Sequence, residues 1–350
     1  MRNALYVACT FMEAGVITLA NRVRRKWGRK WGGRPQISST DVYLRLFLLH
    51  ALGRQPKLRI TCGERTDGAG AQAHTMMSAI NFARAFGHTY VHTPFAEIDH
   101  GDRPMPLWVE AWENLFNLGD GEEPIEAEHP RAINYSTFHP RLFYAITRAF
   151  QKTGSQKART HDNSNAAEYL FHPFLYYSDG NPDSYMAVIP ELRKKYYRNK
   201  SPVKNDLFTV AVHMRRGDVG PNHGKRFTPT EAVAATIRQV KSILDGHQAH
   251  YRIALYSQGE PNDFSALQQS GAELFLDADA IWSMQQLIEA DILIMSKSSF
   301  SYVAALISDG IKLYEPFWHS PLSPWITRTT AGKFNSSIFA QQLQQLFKSE

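Results

Sequence analysis

The residues best suited to chemistry stand together at His213, Arg215, Arg216 and Asp218, in the string HMRRGD that follows the apolar run 208–212. A guanidinium is a planar fork that donates paired hydrogen bonds and keeps its charge in a cleft, so two arginines here suit a pyrophosphate group. In open α/β sheets ligands bind at the carboxyl ends of strands, which is where these residues emerge. Fixed arginine donors at that place oppose negative charge growing on a leaving nucleoside diphosphate without a metal. The string also reads as an Arg–Asp surface pair or as an RGD adhesion motif. The buried-type strand before it and the glycine turn inside it weigh against both.

Three other places carry reactive types. Asp277 and Asp279, in LFLDADA, match the D-x-D spacing with which two carboxylates hold a divalent cation on a diphosphate, though a helix cap or a contact to a base explains one carboxylate each. Ser298 and Ser299 open an apolar helix, where hydroxyls and backbone N–H groups can hold a phosphate or simply cap the helix. His88, His92 and His100, with Asp99 and Asp102, cluster without a metal-ligand spacing and read as polar residues near a cleft. The aromatic text around 172–185 and 315–325 suits stacking on sugar rings, with ordinary packing as the better explanation. No metal and no cofactor is expected.

The elements that must position these residues follow from periodicity. Residues 58–62 read as a strand, 68–71 as a glycine-rich turn, 73–86 as a helix and 89–92 as a returning strand, a βαβ opening. The segment 99–130 is irregular, with helical text at 140–151 and 190–197. A polar, proline-containing crossover at 198–206 leads into a clean alternation: strand 207–213, helix 230–244, strand 251–256, strand 273–276, helix 283–290, strand 292–295, helix 299–308 and strand 311–314. Such alternation predicts a parallel, Rossmann-like sheet. The expected fold class is therefore α/β and GT-B-like, two Rossmann-like domains facing a cleft. The expected domains are an N-terminal segment 1–57, an acceptor domain 58–200 and a donor domain 201–350.

Size and charge agree with this division. A chain of 350 residues exceeds the length at which one core keeps growing, and 43% hydrophobic content is that of a globular protein. Lys and Arg exceed Asp and Glu by 39 to 33, a net charge of +6 that favours anionic partners. No nucleic-acid module is recognisable, so nucleic acid is not an expected partner. The two cysteines, Cys9 and Cys62, form no disulfide framework, which points to a cytoplasmic setting. The apolar stretch 3–20 carries Glu13 and falls short of a bilayer span. The basic run 22–34 that follows is interleaved with Trp27 and Trp31 and reads either as a peripheral contact with anionic membrane at its inner face or as a solvated basic helix.

HMRRGD resembles the H-x-R-R-G-D motif of alpha-1,2-fucosyltransferases and the related H-x-R-R motif of alpha-1,6- and protein O-fucosyltransferases. EADILIMSKSSFSYVAALIS (289–308) is similar to the late motif of that superfamily, and GAGAQAH (68–74) resembles its early G-x-G-x-Q loop. The resemblance reaches from about residue 58 to 316. It implies an inverting, metal-independent transfer of fucose from GDP-fucose to a hydroxyl of a glycan or glycolipid acceptor. Arg215 would contact the donor diphosphate, Arg216 would support it and His213 would line the nucleotide pocket. The donor-binding set becomes His213, Arg215, Arg216, Gly68, Gly70, Gln72, His74, Ser257, Asp277, Asp279, Ser298, Ser299 and Phe300. The catalytic set is Arg215 with Asp218 or His223 as general base, either of which could deprotonate an acceptor hydroxyl. Relatives carry an aspartate ahead of the last motif's strand that reads guanine; here Ser283 stands nearest, with Asp277 and Asp279 upstream. Another UDP- or GDP-linked sugar is thus an open alternative donor. A nucleotide- or anion-binding module without chemistry is the alternative of another class.

Overall fold

The computed structural model describes residues 57–63, 66–99, 101, 103–125, 132–134, 168–173, 175–201 and 207–349. The basic N-terminal segment, Cys9, His100, Asp102, the helical text at 140–151 and most of the crossover around Pro202 lie outside them. Among the described residues, no helix is long and apolar enough to cross a membrane.

The first unit contains β1 (Lys57–Ile60), α1 (Ala69–Phe86), β2 (Thr89–His92), α2 (Met105–Phe116), β3 (Glu123–Pro124), β4 (Ala132–Asn134), β5 (Glu168–His172), α3 (Tyr176–Gly180) and α4 (Ile189–Tyr196). Its sheet has the order β3-β2-β1-β5-β4, with every pairing parallel. The second unit contains β6 (Phe208–His213), α5 (Thr230–Gly246), β7 (Tyr251–Ser257), α6 (Ser265–Gln269), β8 (Ala272–Leu276), α7 (Ala280–Ile288), β9 (Ile292–Ile294), α8 (Ser299–Ile307), β10 (Ile311–Tyr314), β11 (Ile326–Thr327) and α9 (Ser336–Ser349). Its six strands run in the order β11-β10-β9-β6-β7-β8, again all parallel. Two parallel α/β units of this kind make a GT-B-like architecture.

Sequence explains the placing of each layer. In β6 the run Thr209–Val212 is buried on both faces, as a central parallel strand requires. Helix α5 buries Val233, Ile237, Val240 and Leu244, one stripe at helical spacing, on the outer face of the second sheet beside α6 and α9. Helix α8 is instead buried all round, from Ser301 to Ile307. It lies between its own sheet and helices α1, α4 and α7, and one apolar cluster runs through both units. The two units are therefore joined by a shared core as well as by the chain.

Gly70 sits at the tightest point of that seam. A Cβ placed there would lie 2.7 Å from both the Cα and the N of Phe300, closer than any side chain tolerates. Only glycine lets the first turns of α1 and α8 touch. Those two helices follow the carboxyl ends of β1 and β9, so the contact brings the two ligand-binding ends of the sheets together.

Several expectations are corrected. Residues 68–71 are not a loop: Gly68 is the N-cap of α1, and its carbonyl accepts from the N–H groups of Ala71 and Gln72 at 2.9 and 3.2 Å. Helix α7 begins at Ala280, earlier than residue 283, because Asp279 caps it. Within the irregular-looking segment 99–130, α2 buries Trp108, Trp112, Leu115 and Phe116, with Pro106 in its first turn, where a missing N–H costs nothing.

Candidate functional site

The site is built from the carboxyl end of β6 outward. His213 closes the strand with its Nδ1 2.9 Å from Ser296 Oγ and its ring 5.2 Å from that of Phe300. Burial, and secondarily the charge of Arg215, push its pKa down to about 3, so the imidazole is neutral around pH 7. A neutral ring can line a pocket but supplies no charge to it.

Arg215 directs its fork at a carboxylate. Its Nε and Nη2 donate to the two oxygens of Asp218 at 3.0 and 2.5 Å, and Arg226 Nη2 approaches the same Oδ2 at 3.6 Å. A carboxylate held in two parallel hydrogen bonds presents the arginine with the geometry a phosphate would. Gly217 makes the turn possible: its φ is +75°, and a Cβ there would meet Gln258 Oε1 at 2.5 Å. Arg216 points into the fold instead. It donates to the carbonyls of Arg215 and Thr228 at 3.0 and 2.9 Å and lies 4.4 Å from the ring centre of Phe227. It thereby closes the loop that presents Arg215.

Beneath this loop lies a buried ionic group that the sequence did not disclose. Glu315, 1% exposed, accepts from Arg328 Nη2 at 2.7 Å and from the Thr228 hydroxyl at 2.7 Å, and pairs with Lys297 Nζ at 3.0 Å. Lys297 also donates to the Phe227 carbonyl at 3.2 Å. Desolvation lowers the pKa of Arg328, with Glu315 opposing. Both loop residues, Phe227 and Thr228, are thus anchored to charges held in the core.

The other expected site residues are placed as follows. Ser257 donates to the Met214 carbonyl at 2.8 Å and ties β7 to the end of β6. Asp277 is exposed in a left-handed conformation, φ 51°, with Oδ2 3.4 Å from the Gly259 N–H. Asp279 accepts from the Trp282 N–H at 2.8 Å and forms an ion pair with Arg103 of the first unit. Each carboxylate of the D-x-D string thus has its own structural contact. His223 lies on an exposed turn, where its Nδ1 accepts from the Gly220 N–H at 2.9 Å.

Gln72 and His74 both lie in α1 and are buried, His74 within the helix expected over 73–86. The Gln72 amide donates to the carbonyls of Asp67 and Ala96 at 2.8 and 2.7 Å and accepts from the Ala96 N–H at 3.1 Å, lacing α1 to the segment after β2. His74 is fully buried, 4.3 Å from His319 and 4.6 Å from Tyr302 between ring centres.

At the opening of α8, the Ser298 hydroxyl caps the helix, accepting from the Phe300 N–H at 3.2 Å. Ser299 Oγ is 3.2 Å from His319 Nε2. Phe300 lies between His213 and Trp112, 5.2 and 6.1 Å from their rings. Replacing Ser298 with alanine is expected to cost about 1 kcal/mol of stability through the lost cap, read as a lower melting temperature. An unchanged melting temperature would show that the cap contributes little.

Among the described residues, His74, Asp179 and His319 are near enough to share a metal, with ligand atoms all within 4.8 Å of one another. Hydrogen bonds already engage both nitrogens of His319: Nδ1 lies 3.0 Å from Asp179 Oδ1, and Nε2 receives the Trp318 indole N–H at 3.0 Å. A metal there would have to displace one of these contacts. His319 and Asp179 escaped the sequence reading because the two residues stand far apart in the chain and meet only through the fold.

No protein-family model matches the chain, and no curated protein matches it. Among solved structures, a structure of POFUT1 in complex with GDP is 14% identical, over 73% of this chain and 96% of that one, with a TM-score of 0.36. NodZ alpha-1,6-fucosyltransferase co-crystallized with GDP is 14% identical over 74% and 96%, with a TM-score of 0.37. The E. coli heptosyltransferase WaaC with ADP-2-deoxy-2-fluoro heptose is 12% identical over 83% and 99%, with a TM-score of 0.37. These likenesses decide neither donor nor acceptor.

Proposed function

We propose that this protein is a glycosyltransferase that takes a sugar from a nucleoside diphosphate, best read as fucose from GDP-fucose, and transfers it with inversion to a glycan hydroxyl. The observation that carries this reading is the Arg215 fork. It emerges at the carboxyl end of β6 in a loop turned at Gly217 and tied by Arg216, and it already grips the two oxygens of a carboxylate. When a diphosphate displaces Asp218 from that fork, Arg215 meets the oxygens on which charge accumulates as the glycosidic bond breaks. Asp218, once released, stands beside the reacting centre as the carboxylate to which an acceptor hydroxyl can give its proton. The neutral His213 ring and Phe300 line the adjoining space, and the amino end of α8 faces it with its partial positive charge.

The test is a thermal-shift series with nucleotides, followed by turnover in chelator. GDP and GDP-fucose are expected to raise the melting temperature selectively, and activity is expected to persist in EDTA. Stabilisation by UDP alone would move the donor to a UDP-sugar. Response to no nucleotide would remove the transferase reading, and loss in EDTA with rescue by manganese would overturn its metal independence.

A further inference from the structure

Between β10 and β11 the chain carries the aromatic text that suggested either packing or sugar stacking, and the structure separates the two. Trp325 is 8% exposed and packs in the core, whereas Trp318 is 51% exposed. An exposed indole ordinarily turns freely, but this one is pinned: its Nε1–H donates to His319 Nε2 at 3.0 Å. Because an indole N–H only donates, that contact sets the imidazole tautomer. Nε2 bears the lone pair, and Nδ1 carries the proton that it gives to Asp179 Oδ1 at 3.0 Å. Ser299 Oγ lies 3.2 Å from the same Nε2, where its hydroxyl can only share the lone pair that the indole N–H uses. Residues of both units therefore fix the plane of one exposed ring.

What surrounds the ring indicates its occupant. Phe317 lies 5.1 Å away between ring centres, and the Arg226 guanidinium is 5.9 Å from the Trp318 centroid. Arg226 reaches the carboxylate of Asp218, which holds Arg215. A tethered apolar face thus stands beside the Arg226 fork, which links it to the carboxylate that Arg215 holds. Among the described residues, Trp318 is the one large apolar side chain between β10 and β11 that is exposed. A pyranose fits it: one face of the sugar offers C–H groups to the indole while its hydroxyls meet charged groups at the edge.

We propose that Trp318 is the platform for a pyranose ring of the acceptor, held in place by His319 and Asp179 as positioning residues. This rests on the transferase reading and adds to it the acceptor's subsite. The experiment uses the full chain, as wild type, Trp318→Leu and Trp318→Phe, with folding checked by circular dichroism. Calorimetry measures GDP and GDP-fucose binding, and a printed array of oligosaccharides, probed in saturating GDP, measures glycan retention. Both nucleotide affinities are expected to stay within about twofold of wild type, while glycan retention falls about tenfold in Trp318→Leu. Trp318→Phe keeps a ring but loses the tether to His319 and should fall between. His319→Ala should loosen the indole, seen as lower tryptophan fluorescence anisotropy than wild type, and weaken retention with it. Equal retention by wild type and Trp318→Leu would overturn the proposal, as would no retention by wild type. Loss of GDP-fucose affinity with GDP affinity intact would also overturn it, because the donor's own sugar would then occupy the ring. A wild type that binds no nucleoside diphosphate but retains glycans through Trp318 would remove the transferase reading and leave the platform standing.

Discussion

Arg215→Lys is expected to fold normally and to turn over on the order of a hundredfold more slowly, a loss of about 3 kcal/mol at the transition state, with a smaller loss of donor affinity. Lysine keeps the charge and loses the fork. The Arg215–Asp218 pair shows what is lost: two nitrogens meeting two oxygens at 3.0 and 2.5 Å, which a single ammonium cannot reproduce. Stability should hardly change, because both side chains are about a third exposed and an exposed ion pair contributes ~1 kcal/mol or less. Arg216→Lys should differ in kind. Its hydrogen bonds go to the Arg215 and Thr228 carbonyls, so the variant loosens the loop and costs less in rate. Circular dichroism beside turnover of GDP-fucose, with UDP-sugars as controls, separates these outcomes. A folded Arg215→Lys protein with near-native turnover would end the proposed mechanism.

The sequence carried the second unit from β6 to β10, apart from the short α6, because its strands are short apolar runs set between helices. Strand 89–92 and strand 311–314 are found as read, and the helix expected from residue 230 starts there. Three of the misses have separate physical causes. Helix α2 was hidden by its prolines and acids, although Trp108, Trp112 and Leu115 already have helical spacing. Helix α9, with Phe339 and Leu343 buried, carries the same spacing but lies beyond the last motif. Strand β11 has two residues and no periodicity to read. The G-x-G-x-Q text reads as a ligand loop because glycine is ambiguous in sequence: at Gly70 it serves the close approach of two helices. Of the site, the Arg215 loop was legible since its residues are contiguous. The groups that hold it were not, since Lys297, Glu315 and Arg328 are paired only by the parallel order of β9, β10 and β11.

That buried ionic group leads to the second large expected effect. Glu315→Ala should destabilise the protein by about 3 to 5 kcal/mol, because it leaves Arg328, 1% exposed, without its counter-charge and removes the partner of Lys297. The loss reaches the site through Thr228, whose hydroxyl donates to Glu315 and whose carbonyl accepts from Arg216. Denaturant unfolding of Glu315→Ala and Glu315→Gln should show both losing stability, since the amide restores shape but not charge. Replacing the group together, with Lys297→Met, Glu315→Leu and Arg328→Met, should recover much of the loss, because a well-packed apolar core removes the desolvation penalty along with the pairing. If the triple variant were no more stable than Glu315→Ala, packing around these side chains would be the cause and ionic pairing would not. If Glu315→Gln were as stable as wild type, Arg328 would not depend on the charge of Glu315, and the loop's anchorage would rest on hydrogen bonds that need no carboxylate, those of Arg216, Lys297 and the Thr228 hydroxyl.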